Sequence, residues 1–101
     1  MTEVIRGEFS YPFELDVGSI NVSGVSVVVY VAERYSKSEA WSVEEISVSE
    51  MVVEEAYNDD GDETTVGKND IALIADLIES QNGDDLVYRA IEDASERSFY
   101  G

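Results

Sequence analysis

Apolar and polar side chains alternate along residues 5–17 of the chain. Apolar residues occupy the odd positions from Ile5 to Val17, with Gly7 as the exception, and polar residues occupy nearly all even ones. A period of two is typical of a β-strand with one buried face. Pro12 has no N–H group to donate to a neighbouring strand, so we expect this strand to lie at a sheet edge or to bulge at Pro12.

A second strand is predicted directly after it. Gly18-Ser19 suits a two-residue hairpin turn with glycine first, and the new strand runs from about residue 20 to residue 32. Its apolar parity shifts at Ser23-Gly24, which predicts a β-bulge. Beyond the shift every odd residue from Val25 to Val31 is valine, and two of the even positions are also apolar. We therefore expect a central strand that is buried on both faces.

The next segment is harder to assign. A third strand is predicted over residues 40–48, with a parity slip at Glu44-Glu45. Residues 49–57 fit either a helix with Ser49 as its N-cap or a strand, since the pair Val52-Val53 favours extended structure. We expect a fourth strand here, followed by a loop over residues 58–68 that is rich in Asp and Gly.

The last third of the chain predicts two helices. Asn69 or Asp70 would cap the first, and Asn82-Gly83 would end it with a residue in the left-handed conformation. Asp84 or Asp85 would cap the second. The expected buried face of the first helix is Ile71, Ile74, Ala75 and Ile78, widened by Leu73 and Leu77; that of the second is Leu86, Val87, Ala90, Ile91 and Ala94. Two ion pairs, Asp85–Arg89 and Asp93–Arg97, have the favourable i, i+4 spacing.

These elements predict a single α+β domain over residues 1–101. It would contain an antiparallel sheet of three or four strands, beginning with the N-terminal hairpin, and two C-terminal helices packed on one face. The other face of the valine-rich strand would then be an interface, such as that of a homodimer. Alternatively the N-terminal strand, the loop at residues 33–39 and the tail Phe99-Tyr100 would cover it.

The charge of the chain is strongly negative and unevenly distributed. Twenty-three Asp and Glu residues oppose six Lys and Arg residues, giving −17 at pH 7. Residues 38–67 carry −10 with no basic residue, whereas the other 71 residues carry −7. Self-repulsion of this size weakens a compact state, so the clustered charge predicts a positively charged partner. The expected binding residues are Glu39, Glu44, Glu45, Glu50, Glu54, Glu55, Asp59, Asp60, Asp62 and Glu63.

Composition argues against several classes of function. The chain has no Cys and no His, so it lacks thiolate ligands, the commonest general base and the commonest transition-metal ligand. We therefore expect no enzymatic activity and no cofactor. The N-terminal residues do not resemble a signal peptide, and the longest apolar run has six residues, so we expect a cytoplasmic protein. The deficit of basic residues disfavours direct binding to nucleic acid or to an anionic membrane.

The loop that begins at Asn58 invites comparison with a calcium-binding loop. With Gly61 at the sixth position of an EF-hand, Ala56 would be first and Gly67 twelfth, so two essential ligands are missing. We expect an exposed turn. The alternative is an irregular site for a divalent cation on Asp59, Asp60 and Asp62.

The acidic band suggests a mimic of nucleic acid. Alternate residues on one strand face are about 6.6 Å apart, so carboxylates there would form a phosphate-like array that blocks a nucleic-acid-binding groove. In size and charge, though in no motif, the chain resembles small acidic inhibitors carried by phages, including anti-restriction and anti-CRISPR proteins. That resemblance implies an anti-defence role in the host cytoplasm. The alternatives are self-assembly through the sheet and acidity acquired as an adaptation to a high-salt cytoplasm or for solubility.

Overall fold

The computed structural model describes the backbone of residues 2–100 and the side chains of residues 2–98. It confirms the α+β class, with three long strands followed by two helices. These are β1 (Glu3–Val17), β2 (Ile20–Arg34), β3 (Ser42–Tyr57), α1 (Lys68–Gln81) and α2 (Gly83–Tyr100). No helix in the described part of the chain is both long and apolar enough to cross a membrane.

The three strands form one antiparallel sheet in the order β1-β2-β3. The predicted hairpin is confirmed: Val17 pairs with Ile20, and Gly18 in the turn has a φ of +61°, which favours glycine. Pro12 lies in an edge strand, where its missing N–H costs no ladder hydrogen bond. The central place predicted for the valine-rich strand is also confirmed.

Strand β3 differs from expectation because it is continuous. The two strands predicted over residues 40–48 and 49–57 are one strand, and the parity slip at Glu44-Glu45 is a bulge within it. Three register shifts each leave one β3 residue without a partner on β2: Glu44, Ser49 and Glu54. These bulged residues recur every five positions, so three extra residues in one strand disturb the apolar alternation without ending the strand.

The bulge predicted in β2 at Ser23-Gly24 is instead located in β3. Strand β2 stays in register with β1 along its whole length, and the shift opposite Gly24 comes from the extra residue Glu54. Gly24 is required for another reason, since a Cβ atom there would overlap the carbonyl oxygen of Val52 and lie 3.0 Å from the Val53 Cα. The backbone of β3 approaches β2 too closely for any side chain.

Both helices pack on the same face of the sheet and cover successive parts of it. One core cluster joins α1 and the start of α2 to the hairpin end, and a second joins the rest of α2 to the other end. Phe9 and Ile46 pack against both clusters and so connect them. The first cluster comprises Tyr11, Phe13, Leu15, Val17, Val22, Val28, Ala56, Ile74, Ile78 and Leu86; the second comprises Tyr30, Ala32, Trp41, Ala90 and Ala94.

Helix α1 is less deeply buried than its sequence predicts. Ile74 and Ile78 are fully buried, but Ile71 and Leu73 are 39% and 46% exposed. The helix therefore contacts the sheet through a narrow stripe of side chains. Glu79 holds it there, because its carboxylate accepts a hydrogen bond of 2.8 Å from the backbone N–H of Val48 in β3.

The helix ends also differ from expectation. Helix α1 begins at Lys68, with Gly67 at the N-cap position, so neither Asn69 nor Asp70 caps it. Asn82 has a φ of −115° and Gly83 begins α2, so the left-handed ending predicted at Asn82-Gly83 is wrong. Asp84 and Asp85 lie in the first turn of α2, where their charge favours the helix dipole.

Two tyrosines of the sheet anchor α2 through its aspartates. Tyr30 donates a hydrogen bond to the Asp93 carboxylate, which also accepts one of 2.6 Å from Arg97 Nε. Tyr11 donates a hydrogen bond of 2.7 Å to Asp85 Oδ2. The predicted pair Asp93–Arg97 is thus confirmed. Asp85–Arg89 is absent among the described ion pairs, because Asp85 turns to Tyr11 and the Arg89 guanidinium lies 5.2 Å from the Tyr11 ring centroid.

These anchors change the acid–base properties of the tyrosines. Burial, followed by the hydrogen bond to Asp85, raises the pKa of Tyr11 to about 12. The pKa of Tyr30 is also raised, first by burial and then by its hydrogen bond to Asp93. Because the folded pKa values exceed the unfolded value, both tyrosines stabilise the fold fully below about pH 10 and progressively less at higher pH.

We expect Gly24→Ala to lower the free energy of unfolding by about 2–3 kcal/mol, since the new methyl group must displace the β3 backbone. Gly83→Ala is the matched control: a Cβ there meets no atom within 4 Å, and alanine suits a helix better than glycine. Urea denaturation followed by circular dichroism measures both. Equal effects of the two substitutions would contradict the close approach of β3 to Gly24.

We expect Tyr30→Phe to lower the free energy of unfolding by about 2 kcal/mol, the typical contribution of a hydrogen bond to a charged group. Tyr88→Phe is the control, because Tyr88 is 62% exposed and should contribute within about 0.5 kcal/mol. Urea unfolding at pH 7 and at pH 10–12 provides the test. The difference in the free energy of unfolding between wild type and Tyr30→Phe should shrink above about pH 10. A difference that grows with pH would contradict the stabilising hydrogen bond from Tyr30 to Asp93.

Candidate functional site

The ten acidic residues of the segment 38–67, here called the acidic segment, are all exposed to solvent. Glu39 lies in the loop between β2 and β3, and four residues lie in the loop after β3. The remaining five are distributed along β3, which is an edge strand. Those on the strand are Glu44, Glu45, Glu50, Glu54 and Glu55; those in the following loop are Asp59, Asp60, Asp62 and Glu63.

No residue of the acidic segment forms an ion pair within the described part of the chain. The two ion pairs there are Arg34–Glu3 and Arg97–Asp93, both outside the segment. Among the described side chains, one carboxylate of the segment has a hydrogen-bond partner, Glu44, which accepts a bond of 3.3 Å from the Ser42 hydroxyl. The negative charge of β3 and its loop is therefore not neutralised by the fold.

The carboxylates of β3 are more widely spaced than the alternation of a regular strand predicts. Glu45, Glu50 and Glu55 pair with Val31, Val27 and Ser23, which are four residues apart along β2. At the rise of a strand this corresponds to about 13 Å between carboxylates on one face, twice the expected 6.6 Å. The spacing doubles because the outward positions between these carboxylates hold the uncharged residues Ser47 and Val52, while the bulges bring glutamates five positions apart onto the same face. The array therefore consists of widely spaced carboxylates. Next to Glu45 and Glu55, a bulged residue adds a second carboxylate, Glu44 and Glu54 respectively.

The loop after β3 is a turn organised by Asn58. Its side-chain Oδ1 accepts hydrogen bonds of 3.0 Å from the backbone N–H groups of Asp60 and Asp62, and Gly61 has a φ of +82°. This is the Asx type of turn that Asn and Gly favour. Among the described residues, no three acidic side chains form a group that could hold a metal ion, so Asp59, Asp60 and Asp62 are not brought together as ligands.

The second notable surface is the side of the sheet opposite the helices, here called the open face. Its centre is the valine row: Val25, Val27, Val29 and Val31 of β2. All four are partly exposed, which corrects the expectation that β2 is buried on both faces. Neighbouring apolar side chains extend the row, since Pro12 and the 66%-exposed Val52 pair with Val25 from either side. Whether the tail covers this face lies outside the described side chains.

Carboxylates border the valine row on both sides. The pairing registers place the outward residues of β1 along one side and those of β3 along the other. Together the two borders hold six exposed carboxylates and one exposed guanidinium, a net charge of −5. Glu8 with Arg6 on β1, and Glu45 with Glu50 on β3, lie beside the row itself. Glu14 and Asp16 on β1 and Glu55 on β3 lie beyond its Val25 end, opposite Ser23 and Asn21.

Sequence reasoning missed the contribution of β1 to this surface. Glu8, Glu14 and Asp16 lie outside the acidic segment, yet they share the open face with Glu45, Glu50 and Glu55. The signal was present, because the alternation in β1 assigns these residues to the polar face. Only the register of β1 against β2 shows that this polar face lies beside the valines.

The long border side chains make the valine row the floor of a groove. One depression of about 510 Å³ is lined by residues of the open face, among them Arg6, Val31 and Glu45, and also by Tyr30 and Arg97, which belong to the helix-bearing face. A second, of about 400 Å³, is lined by Val25, Val27, Glu50, Met51 and Val52. The two follow the direction of β2 along the open face.

Comparisons with protein-family models, with curated proteins and with solved structures find no match to this chain or its fold. The function is therefore inferred from the geometry and the charge of the two surfaces.

Proposed function

We propose that this protein binds a partner protein through that partner's basic surface, and that the partner's surface is one that otherwise binds nucleic acid. The supporting observation is the acidic segment, which exposes ten carboxylates along an edge strand and its loop without an ion pair in the described residues. A positively charged partner would supply the counter-charges that the fold does not.

Electrostatics gives such binding a physical basis. A net charge of −17 on 101 residues attracts a basic surface over roughly a Debye length, about 8 Å at physiological ionic strength, and accelerates association. Lys and Arg side chains arranged to contact phosphates would meet carboxylates instead. Occupation of a nucleic-acid-binding groove would then inhibit the partner, as an anti-defence protein of a phage would do in the host cytoplasm.

The spacing of the charges defines what kind of mimicry is involved. Carboxylates about 13 Å apart on one strand face do not reproduce the density of phosphates, since duplex DNA carries one charge per roughly 1.7 Å of axis. In this proposal the protein competes with nucleic acid through its net charge and through ion pairs with selected basic side chains of the partner. A replica of the phosphate backbone is not required.

Charge reversal at three residues tests the proposal. We expect Glu45→Lys, Glu54→Lys and Glu55→Lys together to abolish capture of basic proteins from a host lysate by the immobilised domain. The control triple, Asp76→Lys, Glu92→Lys and Glu96→Lys, changes the net charge equally but on exposed helix positions. Captured proteins, identified by mass spectrometry, should elute with 0.5 M salt and with competing duplex DNA.

Two results would contradict the proposal. Equal loss of capture by both triple variants would show that net charge alone matters and that the acidic segment has no special role. Retention of the captured proteins in excess duplex DNA would show that their nucleic-acid-binding surface is not the one engaged.

The dependence of stability on salt separates this proposal from acidity as an adaptation to high salt. We expect a cooperative thermal transition at 0.1 M salt, with a midpoint that rises up to about 0.3 M, where the Debye length is about 6 Å. Melting followed by circular dichroism from 0.02 to about 3 M salt measures this. A domain that unfolds below roughly 1 M salt would favour adaptation, since an inhibitor must fold at ordinary ionic strength.

A further inference from the structure

We infer that the open face binds a basic amphipathic α-helix of the partner, with the helix lying along the valine row. The inference rests on the proposed function and specifies which surface of this protein makes the contact and what chemistry the partner presents. It depends on the combination of apolar floor and acidic borders, which the acidic segment alone does not provide.

The apolar floor supplies the first requirement. The valine row is partly exposed, and Pro12 and Val52 extend it across all three strands. Contiguous apolar surface of this kind on a small domain marks an interaction site, because water next to it is displaced favourably on binding. In the described part of the chain, both helices pack on the other side of the sheet and leave the open face uncovered. The segment that we infer to bind there therefore belongs to the partner.

The acidic borders select the chemistry of the occupant. Three carboxylates and one guanidinium flank the valines, and three more carboxylates follow beyond the Val25 end of the row. An apolar partner flanked by Lys and Arg therefore matches the charge of the open face. A second copy of the domain does not match. Two open faces packed about 10 Å apart, as stacked sheets are, would oppose twelve carboxylates with only two guanidinium groups.

The dimensions of the groove suit a helix. The border strands are each about 4.8 Å from β2, so the two borders are about 10 Å apart, close to the diameter of a helix with its side chains. From Val25 to Val31 the row is about 20 Å long, which corresponds to about 13 helical residues. Lys and Arg on the flanks of that helix have aliphatic stems that cover valine surface while their charged ends reach the carboxylates.

Model peptides test this inference without knowledge of the partner. The probe is a synthetic peptide of about 14 residues made of Leu, Lys and Ala, with Leu at i, i+3, i+4 and i+7 and Lys on the flanks. A scrambled peptide of identical composition is its control. Each is titrated into ¹⁵N-labelled protein at about 0.15 M salt, a physiological ionic strength.

We expect the amphipathic peptide to bind about tenfold more tightly than the scrambled one, a difference that burial of two or so methyl groups produces. Its largest chemical-shift changes should fall on residues 25–31 and their neighbours in β1 and β3, rather than on the loop at residues 58–63. The footprint is measured on the wild-type protein and so does not depend on the folding of any variant.

A pair of variants provides the matched comparison. Val27→Thr with Val29→Thr keeps the shape and strand preference of both side chains, and should weaken binding of the amphipathic peptide about tenfold while leaving the scrambled peptide unaffected. The control, Ile71→Gln with Leu73→Gln, removes comparable exposed apolar surface from α1 and should leave both affinities unchanged.

Three outcomes would overturn the inference, and they are distinguishable. Equal binding of the two peptides, with a footprint on the loop at residues 58–63, would refute the role of the open face and leave the proposed function intact. Absence of binding by either peptide would refute both. A dimer in analytical ultracentrifugation that is disrupted by the Val27→Thr, Val29→Thr variant would assign the open face to self-association.

Discussion

Strand β2 is the element on which the rest of the structure depends. It pairs with β1 along its whole length and with β3 over residues 21–33, so it fixes the position of both edge strands. Its two faces then determine where the core and the candidate interface lie. One face receives both helices, and the other carries the valine row that we propose as a binding floor. A single strand thus supplies the centre of the core and the centre of the candidate interface.

The face that receives the helices is the one with the smaller side chains. Half of the β2 residues on this face are small, namely Gly24, Ser26 and Ala32, and Ala32 packs with Ala90 and Ala94 of α2. Small residues on both sides allow the helix backbone to approach the sheet closely, and the Ser26 hydroxyl is satisfied by a hydrogen bond of 2.9 Å to the Tyr11 carbonyl. The edge strands add the larger part of the preference, because apolar residues such as Phe13 and Leu15 of β1 and Val53 of β3 lie on this face, whereas most outward residues of both strands are polar. The apolar content of the edge strands and the small residues of β2 together explain which face became the core.

Local patterns predicted those parts of the fold that local interactions determine. The alternation in β1, the Gly18 turn and the apolar stripe at Ala90 and Ala94 each specify an element within a few residues. Strand β3 was divided wrongly because its three bulges are defined only by pairing with β2. The same limit applies to the site. Exposure of the acidic segment follows from composition, but the positions of Glu8 and Glu45 on opposite sides of the valine row depend on the register between distant segments.

The periodic bulges of β3 also determine how the sheet ends. Sixteen residues of β3 lie opposite thirteen of β2, and the surplus residues Glu44, Ser49 and Glu54 interrupt the strand every five positions. A regular strand that tried to add to this edge would lose its hydrogen-bond register at each interruption and would meet unneutralised carboxylates. The edge is therefore closed to further strand addition, which is the step by which exposed sheets grow into aggregates. At its β3 edge, a sheet with a valine-rich centre can in this way present an apolar surface to a partner without recruiting further strands.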